Sequence, residues 1–343
     1  MTRTDRIGRE QKKAALVETA ERTYRNPYLF IVGCARSGTT LLHRIVDAHP
    51  LIAITPEMHW ISQRLKNLES STARMIPTEV AVELTEHKRF SQFGIDREAF
   101  QSLASSTEPV SYTDFLTGVF ELYGETRSRP IVGNKTPAYV RRIPELHALW
   151  PHAKFVHIIR DGRDVALSVL NWKKADRTAG RFSTWEEDPI STTALWWERK
   201  VRTGREAGSA LGPDLYHEIR YEDLVSNTRR ECVALCDFLK VPYDDAMVRF
   251  HEGKTRTDLP DARKTPKKAW LPITGGLKDW RTDMSAEDVE RFEAAAGGLL
   301  GELGYERTVP KPSPRAVEQA ARIRESFGED IQGHGLGSPE RLA

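Results

Sequence analysis

The feature that most constrains the fold is a loop framed by two glycines, set between an apolar run and a helical pattern. Residues 28–32 (Tyr-Leu-Phe-Ile-Val) are continuously apolar, which is typical of a strand buried on both faces. The loop Gly33-Cys-Ala-Arg-Ser-Gly-Thr-Thr40 follows, and a helical pattern runs from about 39 to 48. Because this order places backbone N–H groups and a helix N-terminus around one point, it predicts an anion site of the phosphate-loop type.

The rest of the chain alternates between strand and helix patterns. Further strands are expected at 51–54, 130–133, 154–159 and 215–220, and helices at about 226–239 and 285–303. This alternation predicts an α/β fold, in which a parallel sheet that carries the phosphate loop is flanked by helices. Two stretches interrupt it, about 60–128 and 173–200, and we expect both to be helical insertions. The 60–128 stretch has no clear strand signal.

These patterns also predict how the 343 residues divide. Residues 1–26 form an N-terminal helical extension, 27–309 the main domain with both insertions, and 310–343 a C-terminal helix with a mobile tail.

Composition and charge narrow the possible partners. The chain has 51 Lys and Arg against 49 Asp and Glu, so nucleic-acid binding is not expected and any anion site must be local. The longest apolar runs are far shorter than a membrane span, and the charged N-terminus lacks the apolar core of a signal peptide. We therefore expect a cytoplasmic protein without a membrane span. Its oligomeric state stays open.

The loop departs from the magnesium-dependent nucleotide loops at two positions. The lysine that would follow the second glycine is Thr39, and the strand at 154–159 ends in Arg160, where an acidic metal holder would be expected. Positive charge lies inside the loop instead, at Arg36. The pattern predicts an anion site that works through fixed cations and N–H groups without a metal. For a glycine pattern alone, the alternative is a turn that needs glycine only for its geometry.

This loop resembles the 5′-phosphosulfate-binding loop of the sulfotransferases that use 3′-phosphoadenosine 5′-phosphosulfate (PAPS). Residues 32–42, with Arg-Ser-Gly-Thr-Thr, are most similar to the tyrosylprotein, carbohydrate and bacterial branches of that family. Similarity continues as spaced motifs over most of the chain: 47–50 to Glu57, 133–137, 155–169, 221–225, 276–281 and the region near Tyr305. The resemblance implies an enzyme of the EC 2.8.2 type. It would move a sulfuryl group from PAPS to a hydroxyl acceptor by direct in-line displacement and release adenosine 3′,5′-bisphosphate (PAP).

The resemblance also implies which residues contact the nucleotide. Arg160 lies at the carboxyl end of a strand, where open α/β sheets bind ligands, and its planar guanidinium suits phosphate oxygens. An ion pair with Asp161 or Asp164 is the structural alternative for Arg160. The residues implied for the 5′-phosphate and sulfate are Arg36, Ser37, Gly38, Thr39 and Thr40; those implied for the 3′-phosphate are Arg160 and Ser168; Tyr221 and Lys278 are implied beside the nucleotide.

Transfer to a hydroxyl needs a general base, and two candidates follow the second strand. Glu57 falls where the tyrosylprotein branch has its catalytic glutamate, and His59 is the rival. A helix-capping role is the structural alternative for Glu57. Lys135 matches a family lysine that supports the departing phosphate oxygen together with Arg36, although a solvated turn lysine would also fit.

Two other functions stay open at this stage. A small-molecule kinase with an altered loop would need a magnesium carboxylate and a lysine after Gly38. A nucleotide-binding module without catalysis would need no base after the second strand. The acceptor could be a small molecule, a sugar, a lipid or a peptide, since the insertions match no pattern that identifies it.

Overall fold

A five-stranded parallel sheet forms the centre of the molecule. The computed structural model describes residues 24–59, 61, 74–75, 77–86, 90–105, 108–252 and 279–333. The strands of the sheet lie in the order β2-β5-β1-β6-β7, and every adjacent pair is parallel. Their bounds are β1 Leu29–Gly33, β2 Ile52–Thr55, β5 Ile131–Lys135, β6 Lys154–Ile159 and β7 Tyr216–Arg220, and a separate antiparallel pair joins β3 Arg74–Met75 to β4 Val110–Ser111.

Helices cover the sheet and fill the connections between its strands. Short 3₁₀ turns occupy several loops, among them Pro137–Arg141 and Ala179–Arg181. The α-helices are α1 Thr39–Asp47, α2 Pro77–Glu86, α3 Arg97–Ala104, α4 Tyr112–Glu125, α5 Ile143–Leu149, α6 Gly162–Leu170, α7 Pro189–Leu211, α8 Tyr221–Ser226, α9 Thr228–Leu239, α10 Trp280–Asp283, α11 Ala286–Glu302 and α12 Pro314–Gly333.

The central strand β1 is buried on both faces because its alternate side chains enter two different cores. Phe30 joins one cluster, where its ring stacks on Phe155 at a centroid distance of 5.5 Å. Leu29 and Ile31 point to the opposite face and pack with Ile45 of α1. The continuous apolar run of the sequence is therefore the signature of a sheet covered on both sides, as parallel sheets require.

The strand order fixes where a ligand site can form. From β1 the chain moves through α1 to β2 on one side, whereas β6 leads through α6 and α7 to β7 on the other. The connections diverge between the adjacent strands β1 and β6, and open α/β sheets bind ligands at such a point, beyond the carboxyl ends of the strands. The glycine loop follows β1 and Arg160 follows β6, so both meet at this crevice.

The predicted fold class is confirmed, and each predicted strand lies within about two residues of an observed one. Where it is described, the 60–128 stretch holds helices α2, α3 and α4 together with the short antiparallel pair β3–β4. Strands of two residues are too short to carry an alternating pattern. Residues 175–185 form 3₁₀ turns before α7 begins. Most of the 1–26 extension and the tail beyond 333 lie outside the described residues.

Among the described helices, none combines the length and the apolar character that are needed to cross a bilayer.

A buried ion-pair network ties α6 to the C-terminal helices. The side chain of Arg163 is fully buried and pairs with Asp161 at 2.7 Å and with Glu293 of α11 at 2.7 Å. Its guanidinium also lies 3.5 Å from the ring centre of Trp280. Glu293 further accepts hydrogen bonds from the backbone N–H groups of Thr308 and Val309. Because every member is paired, Arg163 holds the fold together behind the crevice.

This network predicts a large difference between two Glu→Gln substitutions on α11. Glu293→Gln removes one charge of a fully buried pair and should lower the free energy of unfolding by about 2–4 kcal/mol. Glu287→Gln removes an exposed partner of Arg291 and should leave the free energy of unfolding nearly unchanged. Urea unfolding of both variants checks this, and equal losses would contradict the structural role of Arg163.

Candidate functional site

The loop between β1 and α1 needs glycine at both ends because other groups approach its backbone closely. A Cβ atom on Gly33 would lie 2.6 Å from the carbonyl oxygen of Ile158, and one on Gly38 would lie 2.3 Å from the ring of Tyr221. Gly38 also has a φ of +93°, in the region that favours glycine. Arg36 has a φ of +74°, which is uncommon for a residue with a side chain. Backbone strain of this kind is concentrated at functional sites.

The first turn of α1 is open to an anion. Its N-cap, Gly38, has no side chain to accept from the free N–H groups, and no acidic residue occupies the first turn. Ser37 is fully buried, and its Oγ has no hydrogen-bond partner among the described residues. A tetrahedral anion with several acceptor oxygens would satisfy these donors. The loop therefore fits the phosphosulfate end of PAPS.

Arg36 reaches from the loop to the helix after β6. Its Nε donates a hydrogen bond to Ser168 Oγ at 2.9 Å, and its guanidinium carbon lies 5.2 Å from the ring centre of Trp172. Burial lowers the pKa of Arg36, and the nearby charge of Arg160 lowers it further. Two arginines that repel each other at one sheet edge create a local positive field, which favours an anionic ligand.

Arg160 is held in place from three sides. Its guanidinium lies 3.2 Å from the Asp164 carboxylate and 4.4 Å from the ring centre of Tyr221, and its carbonyl oxygen accepts a bond from Trp197 Nε1 at 3.1 Å. Arg160 thus forms the ion pair that was expected as its structural alternative, and its partner is Asp164. Asp161 pairs with Arg163 instead. Burial raises the pKa of Asp164, although Arg160 opposes this shift. Asp164 and Tyr221 fix the guanidinium at the carboxyl end of β6.

A second group of polar residues lies after β2 and β5. Lys135 Nζ donates to Glu57 Oε1 at 2.5 Å, and His59 Nε2 lies 3.1 Å from Glu57 Oε2. The side chains of Glu57 and His59 are 23% and 28% exposed, so the carboxylate can be reached from solvent, whereas Lys135 is only 9% exposed. Both candidate bases and the candidate lysine are therefore in direct contact.

The end of β5 holds the segment that carries Glu57. Asn134 Nδ2 donates to Thr55 Oγ1 at 2.8 Å and to the Pro56 carbonyl at 3.1 Å. The N–H of Met58 donates to Thr136 Oγ1 at 3.0 Å, and the Tyr139 hydroxyl donates to the Met58 carbonyl. Residues on both sides of Lys135 thus fix the backbone on both sides of Glu57. The motif at 133–137 was expected to supply Lys135. Its Asn134 and Thr136 also position the segment that carries Glu57.

His43 of α1, whose place in the sequence favours a packing role, is a neighbour of the second group. Burial lowers its pKa well below the usual value, Lys135 and Arg44 lower it further, and Glu57 opposes the shift. The charges of Lys135 and Glu57 thus both act on the His43 imidazole, whose protonation is disfavoured. His43 follows Thr39 by one helical turn, a spacing that could have placed it on the site face of α1.

The structure thus gathers the candidate residues into two groups at one edge of the sheet. The first contains Arg36, Ser37, Gly38, Thr39, Thr40, Arg160, Ser168 and Tyr221, and the second contains Glu57, His59 and Lys135. Helix α1 links them, since it starts at the loop and carries His43 to the second group. Lys278 lies outside the described residues. The roles assigned to the individual residues stay predictions.

Within the described ranges, no three His, Cys, Asp or Glu side chains are gathered in a way that could hold a metal ion. The metal-free reaction stays a prediction from the sequence.

Comparison with known proteins points to one family. Residues 27–245 match the family model described as the sulfotransferase family. Protein-tyrosine sulfotransferase 1 of Danio rerio is 26% identical over 311 residues, which cover 88% of this chain and 79% of that protein. The human protein of the same name is 26% identical over 308 residues, covering 87% of this chain and 76% of that protein.

Solved structures show the same fold. The sulfotransferase domain of the Synechococcus PCC 7002 olefin synthase aligns with a TM-score of 0.55 at 22% identity, over 83% of this chain and 97% of that chain. The sulfotransferase domain from the curacin biosynthetic pathway aligns with a TM-score of 0.52 at 21% identity, over 82% of this chain and 99% of that chain.

The close approach of the loop to Tyr221 predicts coupled effects on stability. Gly38→Ala should cost about 1–2 kcal/mol for the positive φ and about 1–3 kcal/mol more for overlap with the ring. In a Tyr221→Ala background the overlap disappears, so the same substitution should cost at least about 1 kcal/mol less. Urea unfolding of the four proteins of the cycle measures this coupling.

Gly298→Ala in α11 is the matched control, because a Cβ atom there would meet nothing within 4 Å, and alanine in a helix should leave stability unchanged or raise it by up to about 1 kcal/mol. Strictly additive costs at Gly38 and Tyr221 would show that the ring does not set the loop's approach.

Proposed function

This chain belongs to the sulfotransferase family, and we propose that the two residue groups at the sheet edge carry out its reaction. The enzyme transfers a sulfuryl group from PAPS to a hydroxyl acceptor and releases PAP. The observation that supports the site assignment is the pairing of two cationic features at the ends of adjacent strands. The loop with Arg36 follows β1, and Arg160 follows β6. A nucleotide phosphorylated at both the 5′ and the 3′ positions needs two anion sites of this kind.

PAPS supplies the sulfuryl group on a leaving group that departs as PAP. On the protein side, the N–H groups at 37–40 and Arg36 hold the 5′-phosphate and sulfate. Arg160 holds the 3′-phosphate together with Ser168, which is already hydrogen-bonded to Arg36. Tyr221 lies between the two sites, since its ring contacts both the Gly38 position and the Arg160 guanidinium. Each phosphate thus meets at least one arginine, whose charged hydrogen bonds are stronger than neutral ones.

Glu57 acts as the general base and takes the proton from the acceptor hydroxyl. Its position is supported by the bond that Asn134 donates to the Pro56 carbonyl, by the bond that the Met58 N–H donates to Thr136, and by its partial exposure. His59 orients the carboxylate through Oε2. Lys135 stabilises negative charge on the oxygen that departs, together with Arg36. In the free protein Lys135 is paired with Glu57, so these two groups exchange partners when the reactants bind.

The acceptor is proposed from the relatives. The proteins with the matching names are protein-tyrosine sulfotransferases, which supports a phenolic hydroxyl in a peptide as one acceptor. Sugars, lipids and small molecules stay alternatives, because this chain is only 26% identical to those two relatives over the aligned residues. The kinase and the non-catalytic module are not favoured, since the family match agrees with the substitution of Thr39 for lysine and with a base at Glu57. The cytoplasmic location and a bacterial source stay predictions.

The base assignment predicts a selective loss in Glu57→Gln. The neutral amide cannot take a proton but can still accept from Lys135, so transfer from labelled PAPS should fall at least about 100-fold while PAP affinity stays within a factor of two or so. The acceptor for this assay comes from a screen of sugars, phenols, lipids and peptides. His59→Asn should cost less, and Glu287→Gln, on an exposed surface, should be neutral. Turnover that survives in Glu57→Gln but is lost in His59→Asn would reassign the base to His59.

The two-phosphate assignment predicts a nucleotide preference that depends on Arg160. PAP should bind more tightly than adenosine 5′-monophosphate, which lacks the 3′-phosphate, and more tightly than ATP with magnesium. Arg160→Met should weaken PAP about 10- to 100-fold, the value of one charged hydrogen bond, and leave the monophosphate nearly unchanged. Calorimetric titration measures the affinities, with the exposed Arg230→Met as control. Tighter binding of ATP with magnesium would contradict the proposed site.

A further inference from the structure

Two parts of the sequence similarity, residues 221–225 and the region near Tyr305, carry polar groups that the reaction described above does not use. In the structure these two parts meet at Glu222 of α8. Glu222 Oε1 accepts a hydrogen bond from the backbone N–H of Asp161 at 2.9 Å, and Oε2 accepts one from the Tyr305 hydroxyl at 3.0 Å. A single carboxylate therefore joins the segment after β6 to α8 and to the segment after α11.

The Asp161 N–H belongs to the peptide group that leads out of Arg160. The carbonyl oxygen of the same peptide group accepts a hydrogen bond from Trp197 Nε1 at 3.1 Å. Side chains of α8 and α7 thus bind both polar atoms of this peptide. Because a peptide group is planar, binding both atoms fixes the orientation of the backbone at Arg160.

Tyr221, the residue before Glu222, holds the other end of Arg160. The centre of its ring lies 4.4 Å from the guanidinium carbon, and the same ring lies 2.3 Å from the place of a Cβ atom on Gly38. Two consecutive residues of α8 therefore hold the Arg160 side chain and the peptide group after it. A shift of this short helix would change both contacts at once.

Tyr305 is fixed where it can bind Glu222. Tyr305 is 8% exposed, its N–H donates to the Leu300 carbonyl of α11 at 2.9 Å, and its ring centre lies 4.3 Å from the guanidinium carbon of Arg220. Burial raises the pKa of the Tyr305 hydroxyl and the charge of Glu222 raises it further, so the hydroxyl keeps its proton and donates. Tyr305 therefore contacts the residues on both sides of Tyr221.

The partners of Glu222 differ in kind from those of the other carboxylate beside this site. Asp164 lies 3.2 Å from the guanidinium of Arg160, whereas the N–H and the hydroxyl that donate to Glu222 are neutral groups. The negative charge of Glu222 by itself opposes the binding of an anion nearby. A favourable effect of Glu222 on nucleotide binding can therefore come only from the positions that it fixes.

We propose that Glu222 is a positioning residue of the 3′-phosphate site, which it links to Tyr305. This inference rests on the proposed function, in which Arg160 binds the 3′-phosphate. Paired hydrogen bonds from a guanidinium need its planar fork to face the phosphate oxygens, so a rotated backbone at Arg160 would weaken them. The loop after β1 holds the 5′ end through its own N–H groups, and that contact depends much less on Glu222.

The test compares the affinities of PAP and of adenosine 5′-monophosphate for the whole chain by calorimetric titration. Glu222→Ala frees the Asp161 N–H and the Tyr305 hydroxyl, so the preference for PAP should fall about 10-fold. Glu222→Gln should keep the preference within a factor of about two, because its amide can accept from the N–H and donate to the hydroxyl oxygen. Asp223→Ala removes the neighbouring carboxylate, which is 44% exposed, and as the matched control it should keep the preference.

Urea unfolding of the same variants separates this role from a purely structural one. A structural role alone would lower the free energy of unfolding of Glu222→Ala and leave the preference for PAP unchanged, which would overturn the proposal. Tighter PAP binding in both Glu222 variants would also overturn it, because the charge alone would then account for the effect. A preference that is lost in Glu222→Ala and kept in Glu222→Gln supports positioning through the two hydrogen bonds.

Should Glu222→Ala fail to fold, Tyr305→Phe carries the test. This substitution removes the hydroxyl and keeps the ring, so the preference for PAP should fall about 2- to 5-fold, and an unchanged preference would then overturn the proposal. The proposed function is judged separately on the unsubstituted chain. If that chain binds the monophosphate as tightly as PAP, the 3′-phosphate site itself is overturned, and this inference with it.

Discussion

The structure depends on bringing like-charged side chains together at one edge of a parallel sheet. Arg36 and Arg160 lie close enough for Arg160 to lower the pKa of Arg36, and such an arrangement costs free energy unless an anion or a rigid frame offsets it. The frame is visible in the structure. Asp164 and Tyr221 hold Arg160, Ser168 accepts from Arg36, and the fully buried Arg163–Glu293 pair anchors the helix from which Asp164 and Ser168 project.

In the second group a rigid frame also holds charged side chains, but here the paired charges are opposite. Glu57 and Lys135 neutralise each other in the free protein at 2.5 Å, so the base is held but occupied. Because Lys135 extends from a central strand, and Asn134 and Thr136 bind the backbone around Glu57, the backbones of both residues keep their positions when the two side chains exchange partners. Pre-organisation of this kind is what stabilises a developing charge efficiently, since no reorganisation is needed during the reaction.

The C-terminal helix α12 holds an irregular stretch of the chain in place. Residues 175–185 are 3₁₀ turns that α12 holds against α7 through the Phe182–Phe327 contact. Contacts between elements far apart in the chain therefore fix a stretch that has little regular structure of its own.

The sequence by itself determined the phosphate loop, the strands and the chemical class of the reaction. Those features are local, because a continuous apolar run fixes a buried strand and two glycines fix a loop that other residues could not form. Tertiary structure alone decided the partners: Ser168 lies 132 residues from Arg36, and Lys135 lies 78 residues from Glu57. It also decided that Asp164, and not Asp161, pairs with Arg160. Strand order and helix packing set these distances, and no spacing along the chain encodes them.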